Sequence, residues 1–220
     1  MTERVIALIP AFNEAAHIAA VVDKARAYVD KVIVIDDGST DQTAQVAQSA
    51  GAEVFRHNVN RGKGAAIVTG LRLFAESDAG FTVLLDADGQ HDAVDIPKFI
   101  EAARQTDASI AVGTRMGGTR DMPLVRLWTN QFTSWVTSKL ARQRIPDSQC
   151  GFRLLRRSVL GDIKLSEGRF ETETEMLIQA GRAGHKIVSV PIRTIYEGQQ
   201  SHIHPLRDTA RFFRLVARYL

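Results

Sequence analysis

The stretch Leu84-Leu85-Asp86-Ala87-Asp88-Gly89-Gln90-His91 decides how the chain reads. The apolar residues from Phe81 to Leu85, around Thr82, run directly into two carboxylates one residue apart. A short continuous apolar run bounded by turn residues marks a strand buried on both faces. Carboxylates at i and i+2 at the end of such a strand can both approach one hard cation. Mg²⁺ characteristically takes one or two carboxylates together with phosphate oxygens and water. Gln90 adds a neutral oxygen, and His91 offers a further ligand. A bare D-x-D pattern is common, and its plain alternative is a solvated acidic turn. The surroundings favour a site.

Working outward, the same strand-then-loop pattern repeats. Val5 to Ile9 is a continuous apolar run stopped by Pro10. Asn13 is placed to cap a helix over Glu14–Val29, whose Ile18, Val21, Val22 and Ala25 form an apolar stripe. Val32 to Ile35 is a second strand and ends in Asp36-Asp37-Gly38-Ser39-Thr40-Asp41, where Ser39 or Thr40 can cap a helix Gln42–Ser49. Gly51 follows at a helix C′ position, and Ala52 to Phe55 is a third strand. Asn58 to Gly64 is a glycine-rich basic loop that opens a helix Ala65–Ala75. After the opening strand, Pro97 starts another helix, and Ile110 to Val112 is a fifth strand running into Gly113-Thr114-Arg115. Alternation of this kind predicts an α/β fold: a mostly parallel, doubly wound, Rossmann-like sheet with helices on both faces. Sites in such sheets lie outside the carboxyl ends of the strands. Asn13, Asp37, Asp86, Asp88 and Arg115 all fall there.

The second half is less regular. Met122–Arg142 reads as a helix, with Val125, Trp128, Phe132, Trp135 and Val136 on one stripe and Arg126 and Asn130 on another face. The stripe is expected to be core, with a membrane interface as the alternative. Asp147 to Arg153 reads as a polar loop carrying Cys150 and Gly151. Phe170–Ala183 is a helix entered through Glu171, Glu173 and Glu175 and closed by Gly184; Lys186 to Ile192 is a strand. Pro205–Leu220 is a C-terminal basic amphipathic helix, with arginines 207, 211, 214 and 218 opposite Phe212, Phe213, Val216 and Leu220.

The chain has 220 residues, enough for one domain, with a formal charge of +3 that makes no case for nucleic-acid binding. One cysteine rules out an internal disulfide. No apolar run reaches the roughly 18–20 residues of a membrane span, and no signal peptide is seen. The expectation is a cytoplasmic protein, or one peripheral on the inner face of the cell membrane. Asp37 suits a ribose hydroxyl or base N–H. Asn60-Arg61-Gly62-Lys63-Gly64 suits a phosphate, although its spacing is not that of a P-loop. Arg115 and Arg126 suit a second anion. Cys150 reads as a small buried residue, and His17, His57 and His185 as structural or solvated.

In order along the chain stand Ile9-Pro-Ala-Phe-Asn-Glu14, Asp36-Asp-Gly-Ser39, Asn60-x-Gly62-Lys-Gly64, Asp86-Ala-Asp-Gly-Gln-His91, Gly113-Thr-Arg115 and Asp147-Ser-Gln-Cys-Gly-Phe-Arg153. Together they resemble a family 2 glycosyltransferase of the GT-A fold, and within it the polyprenyl-phosphate (dolichol-phosphate) mannosyl- and glucosyltransferases. The resemblance covers nearly the whole chain. It implies one glycosyltransferase domain over 1–220, with a nucleotide-sugar half (1–115) and an acceptor half (116–220). It implies nucleoside contacts at Pro10, Phe12, Glu14, Ile35 and Asp37, with Ala11 and Asn13 in the same loop and Lys63 beside the phosphates. It places Mg²⁺ or Mn²⁺ on Asp86, Asp88 and Gln90, with Ala87 in the same loop, and gives Asp88, Arg115 and Arg126 the catalytic positions, with Asn130 facing the acceptor phosphate. In the late loop that closes on the donor, mannosyl members carry Arg and Lys; this chain has Tyr196 and His202. His202 is counted among the donor contacts, and Arg207 stands nearby to compensate.

The implied activity is inverting transfer of a hexose from a GDP-mannose or UDP-glucose type donor to a polyprenyl phosphate at the membrane surface, with a membrane-protein partner as a further expectation. The alternatives are transfer to a sugar hydroxyl, with Glu171, Glu173 or Glu175 as base, and a non-catalytic nucleotide-sugar-binding protein. A nucleotidyltransferase is argued against by Pro10-Ala-Phe-Asn13, where that class carries a glycine-rich loop with arginine.

Overall fold

The computed structural model describes residues 3–115, 124–165, 171–193, 212 and 214–219, with the side chains of 124–126 and 171 outside the description. Among the described residues, seven strands form one sheet in the order β3-β2-β1-β4-β6-β5-β7. β1 (Val5–Ala11), β2 (Lys31–Asp36), β3 (Glu53–Arg56) and β4 (Phe81–Leu84) are mutually parallel, with β1 at the centre of the group. Every residue of β1 is buried, as a central strand covered on both faces requires. β5 (Ile110–Thr114) runs parallel to β7 (Ile187–Pro191).

Between β4 and β5 lies β6 (Arg153–Arg156), antiparallel to both. The expected polar loop therefore ends in a core strand. β6 is two leucines between two arginines, which carries no alternation to read, and its first residue, Arg153, is wholly buried.

Among the described residues there are six α-helices of seven residues or more: α1 (Ile18–Arg26), α2 (Thr43–Ser49), α3 (Lys63–Glu76), α4 (Ile96–Thr106), α5 (Leu124–Leu140) and α6 (Glu171–Arg182). α3 packs on β1 and β2, α4 on β5, β6 and β7, and α5 on α6.

Three local expectations are corrected. Asn13 does not cap α1: its φ is 57°, and its Oδ1 accepts a hydrogen bond from the Thr40 N–H, so it ties two loops together. The helix then starts only at Ile18. Neither Ser39 nor Thr40 caps α2; Asp41 Oδ1 accepts from the Thr43 N–H at 2.9 Å. Most consequentially, the aromatic stripe of α5 is not core. Trp128, Phe132 and Trp135 are 72%, 48% and 60% exposed, while Asn130, Ser134 and Thr137 are buried. The polar face turns inward because it meets polar partners: Asn130 bonds Asp147, and the Ser134 hydroxyl accepts from the Ser148 N–H. The C-terminal helix expected over 205–220 lies largely outside the described residues; within it, 214–217 are helical and Leu215 is buried.

Candidate active site

The carboxyl ends of β1, β2 and β4 converge because these strands are parallel neighbours. The loop after β1 is bolted to the loop after β2: the Asn13 N–H donates to Ser39 Oγ at 2.9 Å and the Glu14 N–H to Thr43 Oγ1 at 2.8 Å. Pro10 and Ala11 are buried within β1, and Phe12 stands 42% exposed at its end. Ile35 is fully buried, so only its backbone can meet a ligand.

The two adjacent carboxylates at the end of β2, Asp36 and Asp37, have separate partners. Asp36 accepts from the Ser39 N–H at 3.0 Å and faces Arg56 Nε at 3.0 Å. Asp37 Oδ1 accepts from the Arg61 N–H and meets His57 Nδ1 at 2.7 Å, while Oδ2 accepts from the Gly62 N–H at 2.7 Å. Asp37 thereby fastens the glycine-rich loop, and His57 passes the link on to Thr69 of α3. Gly38 permits the approach: its φ is 73°, and a Cβ there would sit 2.6 Å from the Val59 carbonyl carbon. The loop delivers Lys63 as the first residue of α3.

At the end of β4, Asp86 Oδ1 lies 2.6 Å from Lys63 Nζ, which also reaches Glu173 Oε2 of α6 at 3.3 Å. Burial disfavours the Asp86 carboxylate, but the Lys63 ammonium outweighs it and holds the group down to about 2. Burial likewise works against the Lys63 charge, and Asp86 with Glu173 more than reverses it, so the ammonium is raised well above its usual range. Asp88 Oδ1 accepts from the Gln90 N–H at 2.9 Å, an Asx turn that Gly89, at φ 75°, completes. His91 is buried, with Nδ1 3.9 Å from Asp86 Oδ2. Burial lowers its pKa and keeps it neutral near pH 7, although Asp86 and Asp88 pull the other way. Gly151 closes the back of Asp86: a Cβ there would lie 2.4 Å from Oδ2.

Arg115 is held by Asp147, with Nε 2.8 Å from Oδ2, Nη2 2.9 Å from Oδ1, and its own N–H donating to Oδ2. Asn130 Nδ2 of α5 donates to the same Asp147 Oδ1. Burial pushes the Asp147 carboxyl up, but the Arg115 guanidinium and Asn130 outweigh it and hold it below the ordinary range. Arg153, fully buried, donates to the carbonyls of Ser148, Cys150 and Glu173. One side chain thus joins the loop behind Asp86 to the start of α6. Cys150 is buried as expected, and burial raises its thiol to about 12.

The expected residues Asn13, Glu14, Asp37, Lys63, Asp86, Asp88, Gln90 and Arg115 therefore all lie on loops or element ends at the carboxyl edge of the sheet. Arg126 lies on α5 with its side chain outside the described residues, and Tyr196, His202 and Arg207 are likewise outside. Sequence reasoning missed Asp147 as the partner of Arg115, Arg153 as the buried tie, and the Lys63–Glu173 contact. Asp147 and Arg153 did stand inside a recognised motif, which was the available signal.

Among the described residues no three His, Cys, Asp or Glu side chains form a closed metal cage. Asp86, Asp88 and Gln90 stand in one loop after β4 and carry two carboxylates and a neutral amide oxygen. Such a set fits a hard divalent cation that shares its coordination with a diphosphate.

The sequence matches the family described as "Glycosyl transferase family 2" over residues 6–164. It is 33% identical over 220 residues to the UDP-N-acetylglucosamine–dolichyl-phosphate N-acetylglucosaminyltransferase of Methanococcus voltae, covering 89% of this chain and 88% of that one. It is 30% identical over 208 residues to the undecaprenyl-phosphate mannosyltransferase of Micrococcus luteus, covering 86% and 82%. In fold it is similar to the glucosyl-3-phosphoglycerate synthase of Mycobacterium tuberculosis, solved with Mn²⁺ and UDP-glucose: TM-score 0.70, 20% identity, 99% of this chain and 79% of that one. Convergent strand-end loops, a seven-stranded mixed sheet and a family match over most of the chain lead to one assignment: this protein belongs to glycosyl transferase family 2 and has the GT-A fold.

Proposed function

We propose that the protein transfers a sugar from a nucleotide diphosphate donor to a polyprenyl phosphate, with inversion. The observation that carries this reading is the grouping of Asp86, Asp88, Lys63 and Arg115 at the carboxyl edge of the sheet in a family 2 chain. The relatives named for dolichyl and undecaprenyl phosphate support the acceptor class; those two differ in sugar.

Residues 1–115 form the donor half and 116–220 the acceptor half in this reading. The loop Pro10–Glu14 and the backbone at Ile35 and Asp37 line the nucleoside. Asp86, Asp88 and Gln90 would hold Mg²⁺ or Mn²⁺, which when bound would neutralise charge developing on the leaving diphosphate. Lys63, at the first turn of α3, adds a positive charge on the same side. Arg115 orients the acceptor phosphate, and Asp147 with Asn130 holds the guanidinium in place for it. Arg126 and His202 extend the acceptor and donor contacts. A phosphate acceptor is already ionised near neutral pH and needs no general base. That suits the carboxylates of α6, because Glu173 contacts Lys63 and Glu175 accepts from the Tyr219 hydroxyl. Transfer to a sugar hydroxyl would need one of these groups free as a base.

The direct test is Asp88→Ala. Metal-dependent transfer to a polyprenyl phosphate should vanish while the fold persists; undiminished turnover at saturating donor would sink the mechanism. A thermal-shift screen of GDP-, UDP- and dTDP-sugars with and without Mn²⁺ identifies the base, since binding to the native state raises apparent stability.

A further inference from the structure

The outward face of α5 is the reverse of what a water-exposed helix presents. Trp128, Phe132 and Trp135 point out over two turns, and the helix buries Asn130, Ser134 and Thr137 instead. The rings of Phe132 and Trp135 lie side by side, inclined by 30°, with centroids 6.4 Å apart. Lys139 follows one turn later on the same stripe and is exposed. Arg142 and Arg144, just past the helix, are exposed too, and with Trp135 and Lys139 they line one open groove. From Met122 to Pro146 the sequence contains no Asp or Glu. The face is therefore aromatic at one end and purely cationic at the other.

That chemistry selects an occupant. Indole rings settle where an apolar medium meets water, because the ring is apolar and its N–H wants a polar partner. Lysine and arginine beside them are drawn to anionic headgroups and keep their charged tips at the surface. A basic, aromatic helix of this kind lies in the plane of a bilayer rather than crossing it, and no described helix is long and apolar enough to cross. The inward face of α5 also reaches the candidate acceptor site through Asn130 and Asp147.

We propose that the outer face of α5, with Trp128, Phe132, Trp135, Lys139, Arg142 and Arg144, docks on an anionic lipid bilayer and sets the acceptor site at the lipid surface. The proposal draws its purpose from the lipid-phosphate acceptor, but its test involves no turnover, so the two readings fail separately.

Trp128 and Trp135 are the only tryptophans in the chain, so intrinsic fluorescence reports on this face alone. The 220-residue chain is mixed with vesicles of phosphatidylglycerol and phosphatidylcholine, or of phosphatidylcholine only, and bound protein is recovered by flotation. The expected result is binding to the anionic vesicles, a blue shift of the emission, and quenching by lipids brominated near the headgroup. The double variant Trp128→Ala/Trp135→Ala should bind at least tenfold more weakly, with an unchanged circular dichroism spectrum. Lys139→Gln/Arg142→Gln/Arg144→Gln should lose the preference for anionic lipid, and 0.5 M salt should mimic it. The proposal is overturned if the wild type stays unbound on anionic vesicles, or if both variants bind as it does. It is equally overturned if the tryptophans are instead buried in a concentration-dependent dimer that forms without lipid.

Discussion

Replacing Lys63 by methionine removes the cation that sits between Asp86 and Glu173 while keeping the length of the side chain. Lys63 and Asp86 are each 25% exposed at the side chain and 2.6 Å apart. Breaking a fully buried ion pair by deleting one partner costs about 3–5 kcal/mol, and an exposed pair is worth about 1 kcal/mol or less. Partial burial places this pair between, near 2 kcal/mol. The depression of Asp86 from 3.8 to about 2 agrees, at about 1.4 kcal/mol per pKa unit. A positive charge in the first turn of α3 opposes the helix dipole, so its removal returns a few tenths of a kcal/mol. For a domain of this size the net loss lowers Tm by about 4–8 °C in the presence of EDTA.

The same substitution has a second, opposite effect. In the free protein Lys63 Nζ occupies one side of Asp86 Oδ1, so a divalent cation must displace it. With methionine there, Mn²⁺ alone should bind more tightly, by up to about 30-fold for 2 kcal/mol. Thermal unfolding and calorimetric titration with Mn²⁺, without nucleotide, read both effects. The variant should melt lower in EDTA yet gain more from Mn²⁺ than the wild type. Acidification adds a check of sign. Because the folded-state pKa of Asp86 is depressed, the pair's contribution is present above the unfolded value near 3.8 and is lost as pH falls toward 2. The Tm gap between wild type and variant should therefore narrow from pH 4 downward. Equal melting temperatures in EDTA together with equal Mn²⁺ responses would refute the claim that Lys63 compensates Asp86.

Gly151→Ala forces a Cβ to within 2.4 Å of Asp86 Oδ2, so it should cost about 1–3 kcal/mol and blunt the Mn²⁺ response, read by the same titration. Asp147→Asn removes the carboxylate charge that Arg115, 11% exposed at the side chain, meets at 2.8 Å. It should destabilise by about 3 kcal/mol near neutral pH. The depressed pKa of Asp147 means that this difference shrinks as pH falls below the ordinary carboxylate range, which denaturant melts at pH 7 and pH 4 will show. Ser39→Ala removes the acceptor for the Asn13 N–H and should cost about 1 kcal/mol, with a weaker donor-induced thermal shift because the loop after β1 loses its anchor.

Apolar patterning along the chain already marks the half of the molecule whose strands are buried on both faces. Val5–Ile9 and Val32–Ile35 are unbroken apolar runs, Phe81–Leu85 is interrupted only by Thr82, and runs of this kind belong in the interior. The loops that follow them were legible for the same reason, since parallel strands put their carboxyl ends together and Asp86, Asp88, Asp37 and Arg115 had to share an edge. Periodicity also showed that Trp128, Phe132 and Trp135 share one face of α5. It could not say which face turns inward, because that depends on what the helix meets, and it meets the buried polar groups of Asp147 and Ser148. β6 was hidden because a buried arginine reads as a loop until its carbonyl partners at Ser148, Cys150 and Glu173 are in place. The link from Lys63 to Glu173 belongs to tertiary structure alone: charge attracts through space, and nothing along the chain records that the starts of α3 and α6 meet.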